Sequence, residues 1–365
     1  MNATLPCRIS LYGGRLPNFA EAELERLYGS VYSSLAHFRV KGEMAGIDTY
    51  VAYRGDEITA LLLFRCHGNR LEVMNQRIAI GREEVEQFAR YIFAQLPAIN
   101  VISFNALYPL EGAFAYPSQR YNCGESIIAC LPDTVTEFVA SLGSATRKNL
   151  RRHRNRLERE FPSVHFSTSI GEAVEEQHVR AIIGFNRIRM AAKGKVSKND
   201  EAWTQWLMGL VRQRGMVTVA LIEGRVCGGA VTVRIGDTCV SHVNAHDPLY
   251  DDFRLGGLCC FQTICESISR GARRFDFLWG EYEYKTAMLG RHTYLYRYLL
   301  YRSSLHLARN AGLAVREAFA GNLRQLRVQL LRAATRANSE PGYWFGRCVI
   351  FLRDTKKALV LLRNK

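Results

Sequence analysis

A chain of 365 residues with 48% hydrophobic side chains is long and apolar enough to build a core in each of two domains. Its formal net charge of +15 is concentrated: residues 144–160 hold seven Lys/Arg against two Glu, and residues 302–365 hold thirteen against three acids. These two segments account for the whole excess, so a broadly basic nucleic-acid-binding surface is excluded and two local basic faces remain.

The ten cysteines are scattered, include the adjacent pair Cys259-Cys260 and form no C-x-x-C pair, which predicts reduced and mostly buried thiols. No charged segment followed by an apolar run opens the chain, and no apolar run reaches the ~18 residues of a membrane span, so neither a signal peptide nor a spanning helix is expected.

In chain order, Ile9 to Leu11 reads as a strand, and Asn18 as the cap of one helix carrying Phe19, Leu24, Leu27, Val31 and Leu35 inward. Strands follow over 49–53, 58–66 and 71–74, divided by turns at Gly55-Asp56 and Gly68-Asn69, then a helix over 82–96 and a strand over 101–106. This first unit, residues 1–130, reads as a small mixed-sheet α/β domain with no glycine-rich turn after its strands.

A second cycle begins after Pro132, with a short helix over 136–142 and a basic helix over 145–160. A strand over 164–168, helices over 171–189 and 201–214, and strands over 217–223, 226–235 and 238–246 follow. Arg254, Gly256 and Gly257 precede a helix from Leu258 to Arg270, stopped by Gly271, and the chain returns as a strand over 273–278. The coarse order repeats that of the first unit, so a tandem duplication of one fold is expected. In the tail, Leu305, Ala308, Gly312, Val315, Phe319, Leu323, Leu326 and Leu330 step by three or four along one long helix. After Pro341-Gly342, Trp344, Cys348, Phe351, Leu352, Leu359 and Leu362 mark a second amphipathic stretch.

The chemistry concentrates between 240 and 285. Strand, glycine turn, helix, strand is an arrangement that points backbone N–H groups and a positive helix end at a pyrophosphate, which suits a nucleotide-tailed acyl donor such as coenzyme A. On the strand 240–246, His242, Asn244 and His246 alternate onto one face, and His246 at its end is a candidate general base, against the alternative of a structural histidine. No third ligand stands at metal-binding spacing, so no metal is expected. Asp276 between Phe275 and Phe277 needs a cationic partner, for which Arg254 and Lys285 are the candidates. The basic helix mostly lacks the Glu partners that an ordinary solvated helix places four residues away, and so points to an anionic partner: donor phosphates, an anionic glycan, lipid headgroups or tRNA.

These residues carry a family resemblance. Asp247, Tyr250, Gly256-Gly257, Phe275-Asp276-Phe277, Gly280 and Tyr284-Lys285, with Ser144, Arg147 to Arg152 and Leu157 upstream, are similar to the GNAT-type acyltransferases of the CelD-like branch. That branch is associated with bacterial cellulose and exopolysaccharide synthesis and related to Fem-type aminoacyl ligases. The resemblance covers about 131–300 well, 5–130 loosely, and none of the last 65 residues. The donor turn departs from the fuller Gln/Arg-x-x-Gly-x-Gly/Ala form, keeping only Arg254-Leu255-Gly256-Gly257.

The resemblance implies a tandem GNAT fold, α/β with two mixed-sheet domains, in which 1–130 has lost its donor site, 131–300 is the acyltransferase domain, and 301–365 is a basic helical tail. It implies an acyl-CoA co-substrate held by Arg254, Gly256, Gly257 and Lys285. His246 or Glu281 would remove the acceptor proton and Tyr284 would protonate the departing thiolate. The acceptor would be a saccharide-related amine or hydroxyl. The location would be cytoplasmic, with the tail on an anionic inner-membrane surface or a membrane-bound synthase. A tRNA-dependent ligase and a non-catalytic scaffold are the competing readings; DNA is not an expected partner.

Overall fold

In a computed structural model the backbone is described for residues 7–280 and 282–336, with side chains for 8–280 and 282–326. Glu281 and the second tail stretch, Trp344 to Leu362, lie outside the described residues. The first elements are β1 (Cys7–Tyr12), α1 (Ala20–Tyr28), α2 (Leu35–Lys41), β2 (Asp48–Arg54), β3 (Glu57–His67), β4 (Arg70–Val73), α3 (Arg82–Gln95), β5 (Val101–Leu107) and β6 (Ser118–Cys130). Then come α4 (Val135–Ser141), α5 (Ser144–Glu160), β7 (His165–Ile170), α6 (Glu176–Ala192), α7 (Glu201–Arg214), β8 (Gly215–Ile222), β9 (Arg225–Ile235) and β10 (Thr238–His246). The chain continues through α8 (Leu255–Ser269), β11 (Arg274–Asp276), α9 (Glu283–Ala287), β12 (Arg291–Tyr301), α10 (Ser304–Arg309) and α11 (Ala311–Arg336).

All twelve strands form one sheet, in the order β1-β2-β3-β4-β5-β12-β6-β11-β10-β9-β8-β7. Read from each outer edge inward, both halves have the same pairing: three antiparallel contacts, one parallel, one antiparallel. The parallel pairs are β4 with β5, bridged by α3, and β10 with β11, bridged by α8. The last place in each half is filled from the other: β12, late in the chain, closes onto β5, and β6, early in the chain, closes onto β11. Antiparallel pairing of β6 with β12 then joins the halves. The fold is thus α/β and internally duplicated.

Neither β6 nor β12 is signalled by the sequence as read above. Their partners lie more than 140 residues away, so no hairpin turn announces them, and β6 reads Gln119-Arg120-Tyr121-Asn122-Cys123-Gly124-Glu125, without alternating polarity.

Three helix boundaries differ from expectation. The first helix starts at Ala20 with Phe19 in the cap position and no side-chain cap, and ends at Gly29, whose φ of 51° leaves the helical region. Val31 and Leu35 therefore lie beyond it, and Ser34 caps a separate α2. Helix α8 begins at Leu255 rather than Leu258, which puts both glycines in its first turn. The tail helix is two, broken at Asn310.

An ion pair buried at the seam ties the halves together. Arg77, in the left-handed region at φ 55°, places Nη1 3.4 Å from Asp276 Oδ2 and 2.9 Å from Ser126 Oγ. Arg77 is thus the partner of Asp276, in place of the expected Arg254 or Lys285, and it comes from the other half of the sheet. A cation 199 residues away leaves no local spacing by which to find it.

Candidate active site

A cleft of about 1030 Å³ opens where β10 and β11 part. Their parallel pairing stops at Val240 with Asp276; β10 runs on to His246, while the chain after Asp276 turns toward β6, with Phe277 N–H donating to the Ile127 carbonyl. Among the described residues, Ser241 to His246 therefore have no strand partner on that side. A β-strand edge with free backbone groups inside a cleft can pair with the amides of an extended ligand.

The floor at one end is the first turn of α8. The Gly257 amide donates to the Arg254 carbonyl at 2.8 Å, while those of Leu255 and Gly256 have no intrahelical acceptor and lie at the positive end of the helix dipole, so they favour an anion. The two glycines differ. A Cβ on Gly256 would stand 2.7 Å from His246 Nδ1, so this glycine is required by the histidine packed against it. A Cβ on Gly257 would meet nothing within 4 Å, so Gly257 presents bare backbone to the cleft. Arg254 adopts φ 52° as it enters the helix and also lines the cleft.

Opposite lies α5. Leu157 is buried, and Phe161 packs edge-on against Tyr250 and Phe253, which holds the basic helix along the cleft. Its charge is better matched than the sequence suggests. Arg154 and Arg156 pair with Glu158 and Glu160 four residues on, and Arg147 caps carbonyls at the end of α4. Arg152 and His153 reach the cleft, while Lys148 and Arg151 stay exposed and form no ion pair among the described residues.

The candidate chemical groups separate as follows. Tyr284 and Asn244 sit together in the cleft: the Asn244 amide donates to the Gly256 carbonyl at 3.0 Å and reaches the Tyr284 hydroxyl. Burial raises the Tyr284 pKa well above its ordinary value, so the phenol keeps its proton at neutral pH. His246 lines the same cleft, but Nε2 lies 2.8 Å from Asp251 Oδ1 and Nδ1 is buried without a partner against Gly256. Burial lowers its pKa, opposed by Asp251, which favours the neutral ring.

Two expectations are corrected here. A β-bulge between Ser241 and Val243 turns His242 out of the row with Asn244 and His246, and it packs instead against Trp206 and Tyr32. Lys285 is 3% exposed and does not line the cleft; its ammonium donates to the Phe277 and Trp279 carbonyls at 2.9 and 2.7 Å. Burial lowers its pKa to about 8, and its two carbonyl contacts tie it to the chain where that leaves β11.

Sequence reading passed over Arg189 and Asp251. Arg189 lines the cleft, and its Nε is buried with no hydrogen-bond partner among the described residues. A signal existed: Val179, Ile182 and Ile183 mark the buried stripe of α6, and Arg189 falls on it seven residues after Ile182.

Residues 144–286 match the model of the acetyltransferase (GNAT) domain. No curated protein matches the chain. Among solved structures, that of FemX aligns at TM-score 0.59 and 9% identity, over 81% of this chain and 99% of that one. L-PGS from Bacillus licheniformis aligns at 0.46 with 15% identity, over 83% and 96%. The C-terminal domain of a putative lysylphosphatidylglycerol synthetase from Agrobacterium fabrum aligns at 0.45 with 10% identity, over 79% and 93%. The chain has the GNAT fold, and the segment similar to the acetyltransferase (GNAT) domain holds most of the residues that line the cleft.

Proposed function

We propose that the protein is a CelD-like acyltransferase that moves an acyl group, acetyl or longer, from a coenzyme A thioester to an amine or hydroxyl of a saccharide-related acceptor in exopolysaccharide or cell-envelope biosynthesis. One observation carries the reading: the open Gly257 backbone in the first turn of α8, the unpaired edge of β10 and the protonated Tyr284 line one cleft. The turn takes the phosphates with Arg254 and Arg152, the strand edge pairs with the amides of the thioester arm, and Tyr284 protonates the thiolate. His246, whose lowered pKa favours the neutral ring beside the turn, or Glu281 takes the acceptor proton. The division into units 1–130, 131–300 and 301–365 stands in this reading, with donor chemistry in the second unit and strands β6 and β12 exchanged between the first two.

Titration with acetyl-CoA tests the donor site. Binding followed by thiol release in the presence of amine or hydroxyl acceptors supports an enzyme; binding without turnover for any acceptor supports the scaffold reading. The second reading, a tRNA-dependent aminoacyl ligase, draws support from the unpaired Lys148 and Arg151 on the exposed face of α5. Charge reversal of Arg151 and Arg152 would then abolish a salt-sensitive gel shift with tRNA.

The tail supports attachment to an anionic membrane surface or a membrane-bound synthase, which would hold a cytoplasmic enzyme at the inner membrane. Helix α11 packs on β6 through Gly321, whose Cβ position would lie 2.7 Å from Tyr121, and on β12 through Ala314 and the Glu317–Arg297 pair. Its expected apolar seam faces outward instead: Val315 is 68% exposed and Phe319 69%. Among the described residues no helix is long and apolar enough to cross a membrane. An apolar stripe flanked by arginines fits a headgroup surface.

A further inference from the structure

Beyond Tyr284 the cleft continues toward the C-terminal end of α6, where its chemistry changes. Arg189 and Lys193 line it there, four residues apart and so on one face of the chain as the helix ends. Arg189 Nε is buried and unpartnered among the described residues, and the Lys193 ammonium stands 5.4 Å from the centre of the Tyr282 ring. Glu283 lines the same cleft, yet neither cation forms an ion pair among the described residues.

The charge of Arg189 acts on both His246 and Tyr284, which places it at the reacting end of the cleft. The phosphate end has cations of its own in Arg152 and Arg254. A buried guanidinium N–H without an acceptor costs free energy, and that cost is removed when a ligand supplies the acceptor. The Nε and Nη donors of one arginine form a planar fork that fits the two oxygens of a carboxylate.

We infer that Arg189 and Lys193 form an anion subsite that holds a carboxylate carried by the substrate beyond the thioester carbonyl; the inference rests on reading the cleft as the acyl-CoA site. The carboxylate has two sources, the far end of the acyl group or the acceptor, and the same chemistry recognises either.

The test uses the full chain and two matched series of probes. Calorimetric titration compares succinyl-CoA with butyryl-CoA, and thiol release from acetyl-CoA compares β-alanine with propylamine as acceptor. In one series the carboxylate-bearing probe is expected to be favoured by about tenfold or more, the scale of a charge-assisted contact. Arg189→Gln is expected to bring that ratio to about one, and Arg189→Lys to retain part of it. Because the readout is a ratio, a general effect of the variant on thioester binding cancels. Preference in the acyl series assigns the carboxylate to the donor, and preference in the amine series assigns it to the acceptor. If acetyl-CoA binds but neither series prefers the carboxylate, or if the preference survives in Arg189→Gln, the inference is overturned. A chain that binds no thioester overturns the reading of the cleft and the inference with it.

Discussion

The two parallel strand pairs of the sheet are bridged by matching helices, α3 and α8, whose first turns open onto clefts of opposite chemistry. At α8 the turn is Leu255-Gly256-Gly257, with no acid in it and with bare backbone facing a cleft of about 1030 Å³. At α3 it is Arg82-Glu83-Glu84, the Glu84 carboxylate lies over Gly81, and the adjoining cleft is about 360 Å³. Acidic side chains already supply the negative charge that the amino end of α3 favours, so an incoming phosphate would meet repulsion there. Duplication preserved the frame in both halves, while the first-turn residues decide which half is able to take an anion.

The largest effect expected from breaking this difference is at Gly257. Gly257→Val fills the open side of the turn and is expected to weaken thioester binding roughly 100-fold, about 2.7 kcal/mol, by calorimetry. Gly256→Val is a poorer probe because it displaces His246 first. Removing the acids of the other turn, with Glu83→Ala and Glu84→Ala together, should leave donor affinity unchanged; a loss there would move the donor site to the first half.

Next in size is the acid. Tyr284→Phe keeps the ring in place and is expected to lower kcat by roughly 100-fold with little change in donor affinity. Because burial raises the Tyr284 pKa, the wild type should show no alkaline loss of activity from this group below its ordinary value. Full activity in the variant would reassign the proton donor.

A comparable effect on stability, and none on chemistry, is expected at the seam between the halves. Asp276→Ala leaves Arg77 buried without its carboxylate and should cost about 3 kcal/mol in denaturant unfolding. Two separate transitions in place of one would show that the halves fold independently despite the exchanged strands.

Lys285 offers a smaller effect with a definite sign. Its pKa is about 8 in the folded chain and higher when unfolded, so between about 8 and 10.5 the unfolded chain binds more protons. Stability contributed by this group is present above that window and lost as pH falls through it. Unfolding free energies measured from pH 7.5 to 10.5 should rise less steeply in Lys285→Met than in the wild type. Smallest is the tail: Phe319→Asp on the exposed stripe should leave the melting temperature unchanged but weaken flotation with anionic vesicles. Unaltered flotation would remove this face from any membrane contact.

Much of the cleft was legible before the structure. Gly256, Gly257, Arg254, His246 and Tyr284 lie within one stretch of about forty residues, and strand-turn-helix order alone brings them together. What escaped are residues whose role depends on distant packing. Arg189 sits on a helix far from the motif, Asp251 on the 3₁₀ turn before α8 acquires its role only by meeting His246, and Lys285 looked like a phosphate ligand until its ammonium was found turned to two carbonyls.

Local sequence determined the duplicated order of strands and helices, because hairpin glycines, helix periodicity and turn chemistry act over a few residues. The glycine turn, the neutral body and the two basic segments were readable for the same reason. Tertiary structure alone decided that β6 and β12 change places to make a single twelve-stranded sheet, and that Arg77 rather than a neighbour neutralises Asp276. It also decided that the apolar stripe of α11 faces solvent. These outcomes depend on which surfaces meet across roughly 140 to 200 residues of chain, and the free energy of such meetings is not encoded in any local pattern.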